Sequence, residues 1–447
     1  MKRHDTQKIS ASQSLSSTVS WEVRRAFPAL RICFMTVMLF TLIPPASAAE
    51  WLLTGELGAH DPCLIKEESD YANGNWWWSP ATGPGLSMKF STDGIKWRQG
   101  LQFFTEDSKP VWWTEYAPAM RPLNVWAPDL QKFGNRFWCY YSVSEFGKNN
   151  SAIGLTSSSG IFRGDWQDDG VVISSKQNKD TYNAVDPSLV IDEQGSPWLT
   201  FGSYYDGLHL VQLDPKTMKP AANAAILTIA RRQRDLGLEA PTIVYANGYY
   251  YLFVAIDVCC NGKVSTHKVA CGRAKNIVGP YEGKPGDVKN AVTNMLTGNL
   301  TILEKGDERW AGMGGAYVYR RGDGWIIVRH GYDKNSGGTP KMRINDLYWD
   351  AQGWPTFVAP DLPNQTVAAG ETVNFTAPSS ITYQWQVSTD NGATWANITD
   401  NATYNGASKL TLAVKASSTM NGHKYRVVTG NGGATSNAFL LTVKDTE

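Results

Sequence analysis

Five short segments recur along the chain at intervals of roughly 50 to 75 residues, and each stands at the start of an apolar run. Four of them end in a Gly or Asn turn that is followed by a second, aromatic run. This period is typical of a four-stranded propeller blade with its loops. Five such units predict an all-β fold, a five-bladed β-propeller. The segments are AHDPCLI, WAPDLQK, AVDPSLVID, LEAPTIV and, less clearly, GMGGAYVY.

Three of these segments carry an acid next to the proline, namely Asp61, Asp186 and Glu239. In a propeller the first strand of each blade lines the central axis, so the three acids are expected to converge on one funnel. A fourth acid, Asp129, follows its proline and is expected to point elsewhere. The alternative, without a functional role, is that each acid only caps the start of a strand. Three acids at repeat-matched positions instead favour a functional cluster.

Convergent carboxylates are what glycoside hydrolysis requires. One carboxylic acid protonates the leaving oxygen, and a carboxylate on the other face of the sugar acts as base or nucleophile. Crowded carboxylates raise one another's pKa, which keeps one of them protonated near neutrality.

Aromatic content agrees with a sugar-binding protein. The 447 residues include 18 Trp, and sugar rings stack on flat aromatic side chains through their C–H faces. Trp used as core filler is the alternative, and it is the favoured role for part of the Trp76–Trp78 run. Trp112 and Trp113 could form a subsite wall or core equally well. The net charge of +1 supplies no basic field for nucleic acid.

The ordered motifs resemble glycoside hydrolase family 43, and within it the endo-arabinanases. The resemblance covers residues 50 to 355 through AHDP, TGPGLSMKFSTDG, VWAPD, NAVDPSLVIDEQG, FGSYYDGLHL, LEAPTIV and LYWDAQGWP. It implies a five-bladed propeller that hydrolyses α-1,5-linked L-arabinofuranosyl chains of arabinan, a pectic side-chain polysaccharide, with inversion. The expected cleavage is endo, and no cofactor is required for the chemistry.

The resemblance also implies a role for each motif residue. Asp61 would be the general base, Glu239 the general acid, and Asp186 the residue that modulates the pKa of that acid and orients it. An inverting pair stands about 6.5–9.5 Å apart, which we expect for Asp61 and Glu239. Substrate contacts are expected from Trp126, Asn183 and Ser203.

A calcium ion in the central channel is a further implication, since related arabinanases hold one with a His at the end of a Gly-rich motif on the fifth blade. Here Gly315 stands at that position, and His330 lies on the following strand. We therefore expect at most a structural Ca²⁺, with His330 as its weak candidate ligand.

Composition divides the chain into three predicted regions. Residues 1–49 read as a signal segment, with VRRAFPALR, the apolar ICFMTVMLFTLI and small residues near Ala48. Residues 50–358 form the predicted catalytic propeller. Residues 359–447, rich in Thr, Asn, Ser and Ala, predict an Ig-like sandwich with Trp385 in its core. We expect a protein exported to the periplasm or medium, without a membrane span, acting as a monomer.

Five Cys remain after the signal, an odd number that requires a free thiol or an unusual pairing. Cys259 and Cys260 are adjacent, and Cys271 is near enough in sequence to pair with either. Buried unpaired thiols are the equal alternative.

Two other functions stay open at this stage. One is an α-L-arabinofuranosidase or β-xylosidase of the same family. The other is a non-catalytic glycan-binding protein with a degenerate propeller, against which the presence of all three acids argues.

Overall fold

The computed structural model describes residues 50–69, 74–232, 236–285, 294–295 and 300–445. The predicted signal segment, residues 1–49, lies outside them. The described chain is almost entirely β, and residues 54–356 form five successive sheets whose first strands begin at the repeated segments. The prediction of a five-bladed β-propeller is confirmed.

The strands of blades 1 and 2 follow chain order, apart from short strands that join at the edges. Blade 1 comprises Thr54–Gly55, Ile65–Ser69, Gly74–Ala81, Ser87–Ser91 and Lys96–Gln102. Blade 2 comprises Gly83–Pro84, Asn124–Phe133, Arg136–Ser144, Ser151–Ser158 and Gln167–Ser175.

Blades 3 to 5 repeat the same antiparallel order. Blade 3 comprises Ser188–Ile191, Pro197–Phe201, Leu208–Gln212, Leu227–Arg231 and Asn294–Met295. Blade 4 comprises Leu238–Ala246, Tyr249–Ile256, Lys268–Ala274 and Thr301–Glu304. Blade 5 comprises Trp310–Arg321, Gly324–Asp333, Thr339–Trp349 and Pro355–Thr356.

The second and third strands of a blade are buried on both faces because a neighbouring blade covers each face. Ser151–Ser158 is buried at all eight positions, and Tyr249–Ile256 is buried at seven of its eight. Between blades 4 and 5 the ring of Tyr251 packs 4.4 Å from that of Trp349, centroid to centroid. Such strands carry continuous apolar runs rather than strict alternation, and aromatic side chains bury the area that holds the blades together.

The first described residues close the ring of blades. Thr54–Gly55 pairs in parallel with Lys96 and Trp97 of blade 1. The Glu50 carboxylate forms a two-pronged ion pair with Arg343 of blade 5, whose Nε lies 2.8 Å from Oε1 of Glu50. This segment therefore ties the first blade to the last.

Residues 365–444 form two further sheets around their own core. One contains Gln365–Ala368, Tyr383–Ser388, Ala396–Asn397, Lys424–Thr429, Ala434–Thr435 and Phe439–Lys444, and the other contains Thr372–Thr376, Tyr404–Asn405 and Thr411–Lys415. Trp385 is fully buried in this core, as predicted. The boundary at residue 359 and the Ig-like classification stay predictions.

In the part of the chain that the structure describes, helical turns are few and short. They are the α-helical turn Trp113–Tyr116 and the 3₁₀ turns Ile161–Arg163, Gly262–Val264, Lys334–Ser336, Ser418–Met420 and Gly430–Gly432. Within the described ranges, no helix is long and apolar enough to cross a membrane.

Candidate active site

Each blade contributes one residue with a left-handed backbone to the central channel. These residues have φ between 42° and 56°, and all of them line the same cavity on the propeller axis. Only Gly adopts this conformation without cost, so the four others carry backbone strain of the kind found at functional sites. The five are Asp61, Ala127, Asp186, Ala240 and Gly315.

This pattern corrects the expectation that the three acids occupy equivalent positions. Asp61 and Asp186 are left-handed residues, but in blade 4 that position belongs to Ala240. Glu239 comes one residue earlier and matches Trp126 of blade 2. The strand pairing is irregular directly after both residues. Such bulges re-aim a side chain, so the acid and the aromatic ring enter the funnel from a different layer than the two aspartates.

The backbone N–H of each left-handed non-Gly residue donates to a side chain of the preceding blade. Asp61 donates to Nδ1 of His330 in blade 5, at 3.1 Å, and Asp186 donates to Oγ of Ser142 in blade 2, at 3.1 Å. Ala240 donates to Oδ2 of Asp186, at 3.0 Å. Ala127 donates in the same way to Thr82, at 2.8 Å. The strained turns therefore connect neighbouring blades around the channel.

Asp61 is held by three side chains. Its Oδ2 lies 2.6 Å from Nδ1 of His60 and accepts the Thr82 hydroxyl at 3.0 Å. Its Oδ1 lies 3.3 Å from Nδ1 of His330. On its other side the His60 ring reaches the Tyr332 hydroxyl, with 2.7 Å between Nε2 and the oxygen. These contacts fix the carboxylate.

The same contacts determine the charge of Asp61. Burial alone would raise its pKa, but the charge of His60 and the hydrogen bonds from His330 and His60 outweigh burial and hold it well below the usual range. For His60, burial would lower the pKa, but the charge and hydrogen bond of Asp61 raise it. Asp61 is therefore stabilised in its ionised form by the neighbouring His60, as a general base requires.

Asp186 has the opposite electrostatics. Burial, followed by the charges of Glu239 and Asp61, raises its pKa well above the usual range. The hydrogen bond from Ala240 opposes this shift. Asp186 therefore keeps its proton under conditions in which Asp61 is ionised.

Each carboxylate oxygen of Glu239 contacts one side chain. The Ser203 hydroxyl donates to Oε2 at 2.7 Å, and Nε2 of His267 lies 2.7 Å from Oε1. The second contact is short but misaligned. In the described part of the chain, neither Oε1 of Glu239 nor the two His267 ring nitrogens have a hydrogen-bond partner. The structure thus brings Ser203, predicted as a substrate contact, onto the predicted acid itself.

Trp126 meets an exposed aromatic ring that sequence reasoning overlooked. The Phe146 side chain is 76% exposed, and its ring stands edge-on to Trp126 with 6.3 Å between centroids.

The Asn183 amide oxygen accepts the Ser151 hydroxyl at 2.8 Å, which leaves its NH₂ group as the donor for a ligand. Trp113 is 2% exposed and belongs to the core, so a subsite wall from this residue is wrong.

The Gly-Gly pair on blade 5 makes room for other side chains. A Cβ on Gly315 would lie 2.4 Å from Oδ1 of Asp61, and one on Gly314 would lie 2.3 Å from Nδ1 of His267. A histidine at position 315 would collide with the carboxylate. His330, which pairs with Gly314 across the blade, supplies the imidazole beside Asp61 instead.

His330 is a chemically plausible cation ligand. It is fully buried, and burial together with the charge of His60 lowers its pKa to about 4, so the ring is neutral. Among the described residues its Nε2 has no hydrogen-bond partner. Because Nδ1 accepts the Asp61 amide, the neutral ring carries its proton on Nε2, and Nε2 could bind a cation only after a change of tautomer that turns Nδ1 into a donor towards Oδ1 of Asp61.

Cys259 and Cys260 form a disulfide at the edge of this site, and Cys63, Cys139 and Cys271 are buried free thiols. Pairing through Cys271 is therefore wrong. The protein thus contains both features that the sequence left as alternatives, an unusual pairing of two cysteines and buried unpaired thiols.

Comparison with known proteins places this geometry in a family. Residues 55–355 match Glycosyl hydrolases family 43. The chain belongs to this family and is a glycoside hydrolase. A Bacillus subtilis relative, extracellular endo-alpha-(1->5)-L-arabinanase 1, is 45% identical over 72% of this chain and 94% of its own. The Cellvibrio japonicus extracellular exo-alpha-(1->5)-L-arabinofuranosidase ArbA is 34% identical over 67% and 86%.

Solved structures agree. The endo-arabinanase from Bacillus licheniformis is 45% identical, with a TM-score of 0.60 over 68% of this chain and 99% of that one. The Cellvibrio cellulosa alpha-L-arabinanase complexed with arabinohexaose is 32% identical, with a TM-score of 0.60 over 67% and 95%.

Four functional-site residues escaped sequence reasoning: His60, Thr82, Phe146 and His267. His60 directly precedes Asp61, so an adjacent imidazole was a usable signal. Nothing in the sequence connects His267 to Glu239, because their contact depends on how the loop between the second and third strands of blade 4 meets the first strand.

Proposed function

We propose that the protein is an exported endo-arabinanase that hydrolyses α-1,5-linked L-arabinofuranosyl chains with inversion. The observation that carries the proposal is the pair of opposite environments in one funnel. Asp61 is stabilised as a carboxylate, whereas Asp186, whose pKa is raised by burial and by the charges of Glu239 and Asp61, favours its protonated form. The relatives named endo-arabinanase support the substrate, and the extracellular relatives support export.

In the proposed reaction, Asp61 removes a proton from a water molecule as that water attacks the anomeric carbon. Glu239 donates its proton to the leaving O5 of the next sugar, and the glycosidic bond breaks in the same step. Ser203 and Asp186 orient and tune Glu239. The separation of 6.5–9.5 Å expected for the carboxyl groups of Asp61 and Glu239 stays a prediction for a substrate complex.

Exo cleavage would require a loop that blocks the groove, and residues 104–122 are the candidate segment for such a block. The Phe103 ring packs 4.5 Å from that of Trp166, and Nε1 of Trp112 donates to Asp168 at 3.1 Å. The Ala119 amide donates to the Glu145 carboxylate at 2.9 Å. These contacts hold the loop against blade 2, and the relatives named endo-arabinanase support endo cleavage.

The test is product analysis on linear arabinan. We expect a mixed ladder of oligosaccharides early in the reaction, with poor hydrolysis of aryl arabinofuranosides. A single short product would replace endo by exo cleavage. Activity confined to xylosides would overturn the arabinan assignment.

Phe146 is proposed to extend the sugar platform of Trp126. Phe146→Ala should lower kcat/KM on linear arabinan about tenfold, because an exposed ring that becomes buried against sugar contributes about 1.5 kcal/mol or more. Leu101→Ala is the matched control, since Leu101 is 88% exposed and also apolar. Equal losses in both variants would contradict a specific role for Phe146.

We further propose a structural calcium ion at the channel, with His330 as its one imidazole ligand and water as its other main ligand. When bound, the ion would add positive charge beside the Asp61 carboxylate. A chelator should lower the Tm of the wild type by roughly 5 °C or more, because a ligand bound only by the folded state stabilises it. His330→Gln should remove this sensitivity. A chelator effect of equal size in the variant would rule out His330 as ligand.

The C-terminal region is proposed to act as a spacer or attachment module. It contacts the propeller through hydrogen bonds: the amide of Leu52 donates to the Gly430 carbonyl, at 3.2 Å, and Nη2 of Arg321 donates to the Ser379 hydroxyl, at 3.4 Å. Catalysis on soluble arabinan does not require it.

A further inference from the structure

The Cys259–Cys260 disulfide lies between the two catalytic sides of the funnel. The Cys260 amide donates to the Tyr332 hydroxyl at 2.8 Å, on the side of His60 and Asp61. On the other side, Sγ of Cys259 lies within 4.8 Å of a carboxylate oxygen of Glu239 and a ring nitrogen of His267. Cys260 is exposed and Cys259 half-buried. A small dithiol can therefore reach the bond.

Glu239 and His267 place two potential metal ligands side by side. His267 is 3% exposed, and its Nε2 lies 2.7 Å from Oε1 of Glu239. The two atoms do not form an aligned hydrogen bond, and within the described ranges both lack another partner. The two groups therefore form a close contact beside Cys259, with one ligand atom of each residue within 4.8 Å of the others.

Thiolate, imidazole and carboxylate are together the ligands that Zn²⁺ prefers. In a tetrahedral zinc site with bonds of 2.0–2.3 Å, ligand atoms lie about 3.4–3.6 Å apart. The three atoms here lie within 4.8 Å of one another, so movements on the order of 1 Å would bring them to that spacing. In the oxidised form the Cys259 sulfur carries no thiolate charge, so it cannot act as a zinc ligand together with Glu239 and His267.

We propose that reduction of this disulfide creates an inhibitory zinc site made of Glu239, Cys259 and His267. A dithiol supplies two electrons and two protons, giving two Cys thiols and the oxidised dithiol. Zn²⁺ then displaces the Cys259 thiol proton and binds the carboxylate of Glu239. Inhibition rests on the proposed role of Glu239 as general acid, whereas metal binding does not. In its oxidised form the disulfide keeps the catalytic acid free of soft metals.

Two serine variants of the full chain separate the ligand from the fold. Cys260→Ser leaves Cys259 as a permanent thiol, and Cys259→Ser removes the ligand but keeps a thiol in the same loop. Co²⁺ is the binding probe, since thiolate ligation gives a charge-transfer absorption. Zn²⁺ is the activity probe. Excess calcium is present throughout, and each protein is compared with its own activity before zinc is added.

We expect Cys260→Ser to show the thiolate–Co²⁺ band and to lose roughly 90% of its activity at a zinc concentration ten times its Kd. Reduced wild type should behave in the same way, but oxidised wild type and Cys259→Ser should not. If the band is absent from Cys260→Ser, or equal in Cys259→Ser, the site is overturned. If the band forms but activity persists, the site stands and the role of Glu239 as acid fails.

Discussion

Replacing Glu239 with Gln is expected to lower kcat on linear arabinan by about 1,000- to 10,000-fold, while oligosaccharide binding is largely kept. The amide has the size of the carboxyl group but no proton to donate to the leaving oxygen. The loss should be much smaller on an aryl arabinofuranoside whose leaving group departs without protonation. The measurements are kcat on both substrates and the Kd for an arabinan oligosaccharide.

Glu308→Gln is the control for this change, because Glu308 is an exposed acid outside the funnel. It should retain wild-type kcat. Wild-type turnover of arabinan by Glu239→Gln would show that another residue is the acid. An equal loss on both substrates would point to the base step instead.

Replacing Asp61 with Asn should lower kcat by about 100- to 10,000-fold on both kinds of substrate. Activation of water is needed whatever the leaving group, so a better leaving group should not restore the rate. This equal loss distinguishes the base from the acid. Restoration of the rate by the aryl substrate would contradict the assignment of Asp61 as base.

The same variant should change the pH dependence of stability. The pKa of Asp61 in the folded state lies below its ordinary value of 3.8. Its ionised form therefore stabilises the fold above about pH 4, and this contribution is lost as the pH falls through the lowered folded pKa. Wild type should lose free energy of unfolding on acidification in that range. Asp61→Asn should lose less, as measured by denaturant unfolding at each pH.

Much of the fold could be predicted because local pattern and repeat agree. The run RFWCYYSVS is the strand Arg136–Ser144, and the five repeated segments do begin the inner strands of five blades. The acids of the three motifs do meet at the axis. That Glu239 sits one residue out of step with Asp61 and Asp186 was visible only in the backbone, since a bulge changes register without changing composition.

The amino-acid sequence alone was enough to identify five blades, three acids and the motifs of a glycoside hydrolase family. The tertiary structure alone decided which groups surround those acids. His60 and His330 stabilise the charge of Asp61 from two different blades, and Gly315 leaves the space that they need. His267 and Cys259 reach Glu239 from the loop that joins the second and third strands of blade 4. The physical reason is that a carboxylate's charge depends on burial and on neighbours within a few ångströms, and ring closure brings together residues far apart in the chain.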